Sequence, residues 1–347
     1  VLNMEYMFYG TPFNQDIGGW DVSEVSDMSF MFYDATFFNQ KIGIWDVSSV
    51  TNMESMFGRA DAFNQDIGDW NVSNVINMAG MFYSADNFNK SIKMWDVSSV
   101  TDMSAMFKST LSFNQDIGEW DVSSVTNMVE IFRFAEIFNR DIGNWNVSNV
   151  TNMFGMFDNA YAFNQDIGNW DLSKVTSTNS MFRGATAFNQ DIGGWNVSSI
   201  TDMSFMFSFA TSFNQDIGAW DVSKITSMIM MFEGAGVFNQ DIGDWDVSNV
   251  ENMQYMFSGA SSFDQDLGTW NVSQVYDMAV MFNGVKLSTA NYDSLLLGWS
   301  VLTLQSEVDF NAGNSQCTSP GAPADARQYI VDTFNWTIYD GDGTHSP

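Results

Sequence analysis

Hydrophobic residues recur along most of the chain at a fixed interval of 25 residues. Phe occupies the same place in eleven successive units from Phe13 to Phe263, and Trp follows seven residues behind it each time, from Trp20 to Trp270. The consensus unit is F-N-Q-D-I-G-x-W-D/N-V-S-x-V-T-N/D-M-x-x-M-F-x-x-A-x-x. Self-similarity at this period is typical of repeat proteins, in which each unit packs against its neighbours.

The spacing of apolar residues within each unit predicts one short strand followed by one short helix. Trp20 and Val22 alternate with polar neighbours over residues 17–23, which is the period of a strand. The apolar positions over residues 25–35 fall at i, i+3, i+7 and i+10, which places them on one face of a helix. Ser23, present at its place in every copy, is then predicted to be the N-cap of that helix.

A unit of this length cannot bury a core alone, so the copies must stack. The sequence therefore predicts an α/β repeat solenoid with one short parallel strand and one short helix per unit. Residues 1–284 are assigned to about eleven repeats, and the first begins in mid-unit because Val1–Met4 aligns with Val25–Met28. Residues 285–347 are predicted to cap the last repeat and to begin a linker.

Beyond residue 284 the repeat signal is lost, and longer elements are predicted. Helices are expected over residues 291–297 and 324–334, and extended segments at 308–310 and 336–338, with Gly and Pro between them marking turns. A stacked array needs an atypical last unit to cover its final apolar layer. This segment is predicted to supply that cap.

The repeated unit over residues 1–284 resembles the repeat of BspA-like leucine-rich-repeat surface proteins. The segments 291–296, 310–315 and 326–338 are similar to the ends of such arrays in Bacteroidota. The resemblance implies a right-handed solenoid, a secreted or cell-surface location, a role in adhesion and, for the Bacteroidota type, contact with a type IX secretion or anchoring machinery. It implies no catalytic residues. Because Val25 stands where ordinary leucine-rich repeats carry their ladder asparagine, the asparagine ladder of ordinary leucine-rich repeats is expected to be absent.

Composition restricts the possible partners. Lys and Arg number 12 against 42 Asp and Glu, giving a net charge of −30. This charge argues against nucleic acid as a partner, because phosphates are held by Lys and Arg. No apolar run approaches the ~20 residues of a membrane-spanning helix. We predict that the protein is not an enzyme, because it has one His and one Cys and its carboxylates recur in similar surroundings in every copy.

The Trp column has two interpretations. Aromatic faces in a row could stack on sugar rings, or they could form a ladder inside the core. Trp is unchanged in all eleven copies, whereas a ligand-binding column would be expected to vary with the ligand. The sequence therefore favours the core ladder.

Two acidic columns supply much of the charge. The fourth residue of the unit is Asp except at Lys41 and Ser91, and the residue after Trp is always Asp or Asn. One interpretation is an Asx turn, in which the side-chain oxygen accepts a backbone N–H. The other is bound Ca²⁺, which would relieve the repulsion between stacked carboxylates. The interchange of Asp with Asn favours turns, so no cofactor is predicted and Ca²⁺ is the alternative.

The residue before Trp varies most and is predicted to point away from the core. Together with the residue after Trp it is expected to form an exposed sheet face, and solenoids bind partners on such faces. The candidate binding residues on this face are Asp69, Asn71, Met94, Asp96, Glu119, Asp121, Asn144, Asn146, Asn169 and Asp171.

These features predict a non-enzymatic extracellular or cell-surface module that recognises a protein or a glycan in adhesion. The alternative is a structural stalk or filament segment, or secreted cargo, whose repeats serve as a rigid spacer. A uniform core is compatible with the recognition module and with the rigid spacer. The two functions differ in whether the exposed columns bind a ligand.

The Asx-turn interpretation makes a prediction about calcium. If the acidic side chains already have backbone donors, Ca²⁺ should raise the melting temperature little more than NaCl does, because only screening acts. A bound ion would add a stabilisation that grows with its concentration. Thermal melts at equal ionic strength, with EDTA as control, make the comparison. A Ca²⁺-specific rise of many degrees would show calcium sites instead.

Overall fold

The computed structural model describes residues 2–345, which form two compact units divided between Lys174 and Val175. We call them the N-terminal and the C-terminal unit. The N-terminal unit consists of repeats alone, and the C-terminal unit contains the remaining repeats followed by a segment with longer elements. The helices and strands of the described residues all lie in that segment: α1 (Thr289–Ser300), β1 (Asp309–Asn311), α2 (Ala322–Phe334), β2 (Thr337–Asp340) and β3 (Gly343–His345).

The helix predicted over residues 25–35 is wrong. Met31 N donates to Met28 O, three residues earlier, at 3.2 Å. Phe30 N instead donates to Glu54 O in the next repeat, at 2.8 Å. Phe30 also has a φ of +54°, in the left-handed region that interrupts a helix. The result is a ribbon of turns, which directs the same apolar positions inward as a helix would.

The strand predicted over residues 17–23 is also wrong, because two consecutive turns occupy this segment. Trp20 N donates to Ile17 O at 3.0 Å, which closes the first turn. Val25 N donates to Val22 O at 2.9 Å, which closes the second. Side chains therefore alternate between core and solvent without a strand backbone.

Pairing between repeats occurs instead at the residue that precedes the first Met column of the unit, which is Asn or Asp except at Ser177 and Ser227. Asn52 forms single-residue parallel bridges with both Asp27 and Asn77, each 25 residues away. Such bridges connect residues 3–152 in the N-terminal unit and 177–277 in the C-terminal unit. Within each unit, the bridged repeats therefore lie side by side in the same register.

Columns of aromatic rings fill the core. From Phe32 to Phe157 the rings of neighbouring repeats lie 5.7–5.8 Å apart between centroids, and they are fully buried. From Trp70 to Trp145 the indole rings lie 6.5 Å apart and nearly parallel. The prediction that the Trp column belongs to the core is confirmed.

Each buried Trp also ties its repeat to the one before. Trp120 Nε1 donates to Ile92 O at 3.2 Å, and Trp220 Nε1 makes the same bond to Ile192 O at 3.1 Å. Trp120 is 4% exposed, whereas Trp20, in the first copy, is 39% exposed. The burial of the ring therefore depends on the repeats stacked around it.

An asparagine ladder runs along the repeats, at a different place in the unit from Val25. Asn39 N donates to Asn14 Oδ1 at 3.0 Å, and the same bond continues from repeat to repeat as far as Asn164. The ladder uses the Asn that follows the first Phe of the unit. Its amide oxygen satisfies a backbone N–H that would otherwise lack a partner within its own repeat.

Asp264 stands at the last rung of this ladder, where the other repeats carry Asn. Its N–H donates to Asn239 Oδ1 at 2.8 Å, in the ladder pattern. Its Oδ1 accepts from Ser288 N at 2.7 Å and from Asn291 Nδ2 at 2.9 Å. Ser288 is the N-cap of α1, so the carboxylate lies at the positive end of the helix dipole. The change from Asn to Asp joins the ladder to α1.

The predicted elements beyond residue 284 are confirmed, with β3 in addition. Trp299 in α1 donates its Nε1 to Leu267 O at 3.2 Å, which continues the bonds of the Trp column. Phe310 in β1 bridges Met278, and β1 pairs in parallel with β2, which pairs antiparallel with β3. The segment thus adds layers to the last repeat. The predicted linker includes residues 346–347, which lie outside the described residues.

A buried ion pair holds these layers together. Asp340 in β2 accepts from Arg327 Nε in α2 at 2.7 Å and from the Tyr292 hydroxyl in α1 at 2.7 Å. Burial, together with the neighbouring Asp340, raises the pKa of Tyr292 well above its ordinary value. The elements α1, α2 and β2 therefore meet at one carboxylate.

The contrast between buried and exposed Trp makes a prediction about stability. Trp120→Ala should lower the free energy of unfolding by ~3–5 kcal/mol, because it opens a cavity in a close-packed ladder. Trp20→Ala is the matched control and should cost much less, since that ring is already partly in water. Urea unfolding of both variants measures the difference. Equal losses would contradict the core ladder.

Candidate functional site

The ten candidate residues are all exposed and all belong to the N-terminal unit. They do not form a sheet face, because the segments that carry them are turns. The residue before Trp lies in the turn that Trp45 N closes on Ile42 O at 3.1 Å, and its equivalents in other repeats do the same. We call this surface the turn face. It comprises the ten candidates together with Lys41, Ile44, Lys90, Lys93 and Arg140.

The residue after Trp is engaged in an Asx turn. Asp46 Oδ1 accepts from Ser48 N at 3.1 Å and from Ser48 Oγ at 2.6 Å, and Asn71 makes the same two bonds to Ser73. The Ser column therefore donates to this turn. The prediction that it caps a helix is wrong. Among the candidates, one oxygen is used in this way in Asn71, Asp96, Asp121, Asn146 and Asp171.

These hydrogen bonds favour the charged form of the carboxylates. The Ser123 hydroxyl and the Ser123 backbone N–H lower the pKa of Asp121 below its ordinary value. Asn supplies the same acceptor oxygen without the charge, as the bonds of Asn71 show. The interchange of Asp and Asn in this column therefore has a structural explanation.

The other acidic column forms a second Asx turn. Asp16 Oδ1 accepts from Gly18 N at 2.9 Å, and Asp141 Oδ1 accepts from Gly143 N at 2.9 Å. Across residues 2–345, no three His, Cys, Asp or Glu side chains are grouped closely enough to hold a metal ion. In both columns one side-chain oxygen thus accepts from the backbone of its own repeat.

The remaining candidates precede Trp and project into solvent. Met94 is 83% exposed, and Ile44, at the same place two repeats earlier, is 84% exposed. A large apolar side chain this exposed contributes little to folding and is available for contact with a partner. The other candidates of this column, all polar, are Asp69, Glu119, Asn144 and Asn169.

Lys41 and Ser91 replace the Asp of the Gln-Asp-Ile-Gly segment. The sequence alone does not show that such replacements lie on the turn face. The segment is interrupted by four of the chain's 12 basic residues. Comparison with the consensus could have identified them. The replacements at four places introduce a positive charge, and Ser91 removes a negative charge. The four basic residues are Lys41, Lys90, Lys93 and Arg140.

Lys93 replaces a glycine that packing requires in the other copies. At Gly43 a Cβ atom would lie 2.3 Å from Asp66 O, and at the equivalent glycines the corresponding distance is at most 2.8 Å. A side chain here forces neighbouring repeats to shift. In the same repeat Ser91 removes the Asp of the Asx turn. This repeat therefore lacks both the glycine and the Asp, whereas the repeat of Lys41 lacks the Asp alone.

Two of the basic residues, Lys41 and Arg140, line shallow grooves. Lys93 Nζ pairs with Asp116 Oδ2 at 2.7 Å, and Arg140 Nε donates to Asn114 O at 2.7 Å. A groove of about 450 Å³ adjoins Lys41 and Ile44, and another of about 330 Å³ adjoins Arg140. The turn face therefore alternates exposed apolar side chains, cations and concave surface, which a partner could contact together.

Neither helix in the described part of the chain is long and apolar enough to cross a membrane. This finding agrees with the absence of a long apolar run in the sequence.

Comparison with known proteins identifies one family. A family model described as "Mycoplasma protein of unknown function, DUF285" matches residues 2–115, 87–195 and 180–295. These matches tile most of the chain and cover the whole repeat region. A search of the curated proteins finds no match.

Restoring the consensus around Lys93 should stabilise the protein. The double substitution Ser91→Asp with Lys93→Gly is expected to raise the free energy of unfolding by about 1 kcal/mol, because one hydrogen-bonded turn is regained. The lost Lys93–Asp116 pair is exposed and contributes little. Urea unfolding of the two single variants separates the effect of the turn from that of the glycine. A loss of stability in Lys93→Gly would contradict the packing argument.

Proposed function

The chain belongs to the DUF285 family of repeat proteins, and we propose that it is a non-enzymatic recognition module that binds a protein or glycan ligand at the turn face. The ligand would contact Ile44 and Met94 through their apolar side chains, and the flanking cations and carboxylates would orient it. Partner binding by exposed columns on an invariant core is the usual mode of repeat proteins.

One observation carries this proposal. The C-terminal unit keeps Gln-Asp-Ile/Leu-Gly in all of its complete repeats, 190–193, 215–218, 240–243 and 265–268. All the breaks fall in the N-terminal unit, between Lys41 and Arg140, and Lys93 is among them although it disturbs packing. Natural sequences depart from a locally favourable pattern chiefly at functional sites.

Two features support the absence of enzymatic activity. Burial and the neighbouring Asp342 raise the pKa of the Cys317 thiol to about 11, so at neutral pH it carries its proton and is a weak nucleophile. The acidic columns are occupied by repeated Asx turns, and their environments are alike from copy to copy. Catalysis needs a carboxylate whose surroundings set it apart.

The finer architecture and the location belong to the same proposal. The parallel bridges within each unit support a solenoid built from turns, and the resemblance to BspA-like leucine-rich repeats implies that it is right-handed. The resemblance to surface proteins supports an extracellular or cell-surface location and a role in adhesion. The matched family is named for Mycoplasma, so a Bacteroidota origin and type IX export rest on the resemblance alone.

The test is a binding screen with the full chain. Labelled protein is applied to an array of immobilised glycans and to a panel of extracellular-matrix proteins. The variant Ile44→Asp with Met94→Asp should weaken binding of any partner found at least about tenfold, a loss of about 1.4 kcal/mol, because two apolar contacts become charged. The matched control is Ala219→Asp with Thr269→Asp, at the same place in the C-terminal unit.

Equal binding by the variant and the wild type would overturn the assignment of the turn face. Absence of any partner, with ordered self-assembly of the wild type, would favour the rigid spacer instead. The uniformity of the core supports that second function, since stiffness needs only stacked copies.

A further inference from the structure

A second surface of the N-terminal unit, which shares no residue with the turn face, lies at a place of the unit that varies from copy to copy. It is formed by the residue two places after the first Met of each unit. Small side chains occupy this place in three successive repeats, between Phe30 on one side and Glu130 on the other, which leaves a trough of about 300 Å³. The three small residues on its floor are Ser55, Gly80 and Ala105.

Aromatic rings form one end of the trough. Tyr6 stacks on Phe30 with ring centroids 4.9 Å apart and planes within 8°, and Tyr9 stacks on Tyr33 at 5.2 Å and 8°. Tyr6 is 49% exposed and Tyr9 47% exposed, so the platform presents aromatic surface to solvent. Phe30 and Tyr33 line the trough itself, and Tyr83 lines it further along.

Polar groups line the rest of the trough. Lys108 Nζ lies 2.5 Å from Glu130 Oε2 and 5.8 Å from the centroid of the Tyr83 ring. The Glu54 carboxylate is held by Asn77 Nδ2 at 3.1 Å. An amine and a carboxylate, each fixed by a neighbour, supply a donor and an acceptor beside the aromatic faces.

The rings are not required by the fold. Every residue of this column has positive φ, including Tyr6 at +56°, Phe30 at +54° and Gly80 at +61°. Glycine adopts this conformation without penalty, whereas other residues are strained in it by roughly 1–2 kcal/mol. In the C-terminal unit the run of three small residues does not recur, because Ser180 is followed at this place by large side chains in four successive repeats: Phe205, Met230, Tyr255 and Val280.

We propose that this trough binds a pyranose ring of an oligosaccharide. The C–H face of the sugar would pack on the exposed aromatic rings, whose π faces carry partial negative charge. Its hydroxyls would exchange hydrogen bonds with Glu54 and Lys108. The volume is at the lower end of that of small-molecule pockets, which suits one or two sugar units.

A proline-rich peptide is the other ligand that aromatic grooves accept. The fixed amine and carboxylate beside the rings favour hydroxyl groups, which proline side chains lack. The proposal is independent of the turn face, since the two surfaces share no residue.

The experiment uses saturation-transfer NMR on the full chain with cellobiose, lactose, mannobiose and N,N′-diacetylchitobiose, and with a proline-rich peptide. Ala105→Phe fills the trough, and it should fold because Phe30 and Phe205 occupy the same place with the same sign of φ. Phe30→Ala removes one ring instead. The matched control, Tyr255→Ala, changes the same column in the C-terminal unit.

At least one disaccharide should bind the wild type. Ala105→Phe and Phe30→Ala should each weaken that binding about threefold to tenfold, as expected for the loss of ring contact, while Tyr255→Ala leaves it unchanged. Thermal melts verify that each variant is folded. Absence of saccharide binding, binding unaffected by Ala105→Phe, or binding of the peptide alone would each overturn the proposal.

Discussion

The hydrogen bonds between consecutive repeats are the constraint on which the rest of the structure depends. Met53 N donates to Asn77 O at 2.9 Å, and the same donor and acceptor recur one repeat further on, at Met78 and Asp102. About half of the backbone N–H groups in the turn ribbon have no acceptor within their own repeat. Each repeat therefore supplies the carbonyl oxygens that accept from the repeat before it. The aromatic ladders, the Trp indole bonds and the asparagine ladder all require the same register.

That constraint divides the sequence into two classes of position. Core columns stay fixed because a change of one ring alters contacts with the repeats on both sides. Exposed columns do not have to meet this packing requirement. The residue types found in them are therefore set by factors other than core packing. The turn face is recognised because it departs from the Gln-Asp-Ile/Leu-Gly pattern that the C-terminal unit keeps, and the trough is recognised as a run of small residues in a column that varies along the chain. Lys93 and Phe30 both occupy places where glycine would be the less strained choice.

Sequence reasoning predicted the repeat, its core columns and the elements beyond residue 284, because these depend on periodicity and on long amphipathic segments. It failed on the backbone of the repeat. Residues 25–35 have the apolar spacing of a helix, but a ribbon with left-handed residues such as Phe30 buries the same side chains, so burial alone does not distinguish them. The asparagine ladder was missed because ordinary leucine-rich repeats place it elsewhere in the unit. The exposure of the candidate residues was predictable from the alternation of apolar and polar residues. Their Asx turns depend on backbone geometry, which that alternation does not specify.

The register between repeats also limits how such a gene can change. A residue inserted within the bonded part of a repeat would shift the donors around it away from their acceptors, such as those of the Asn52 bridge and of the Trp indole bonds. A change of length in the turns between the bonded parts is tolerated, since Asn3 and Asp27 are bridged although they lie 24 residues apart. Gain or loss of a whole 25-residue unit leaves all of these contacts intact, because each copy offers the next the same surface. Related chains are therefore expected to differ chiefly by complete copies.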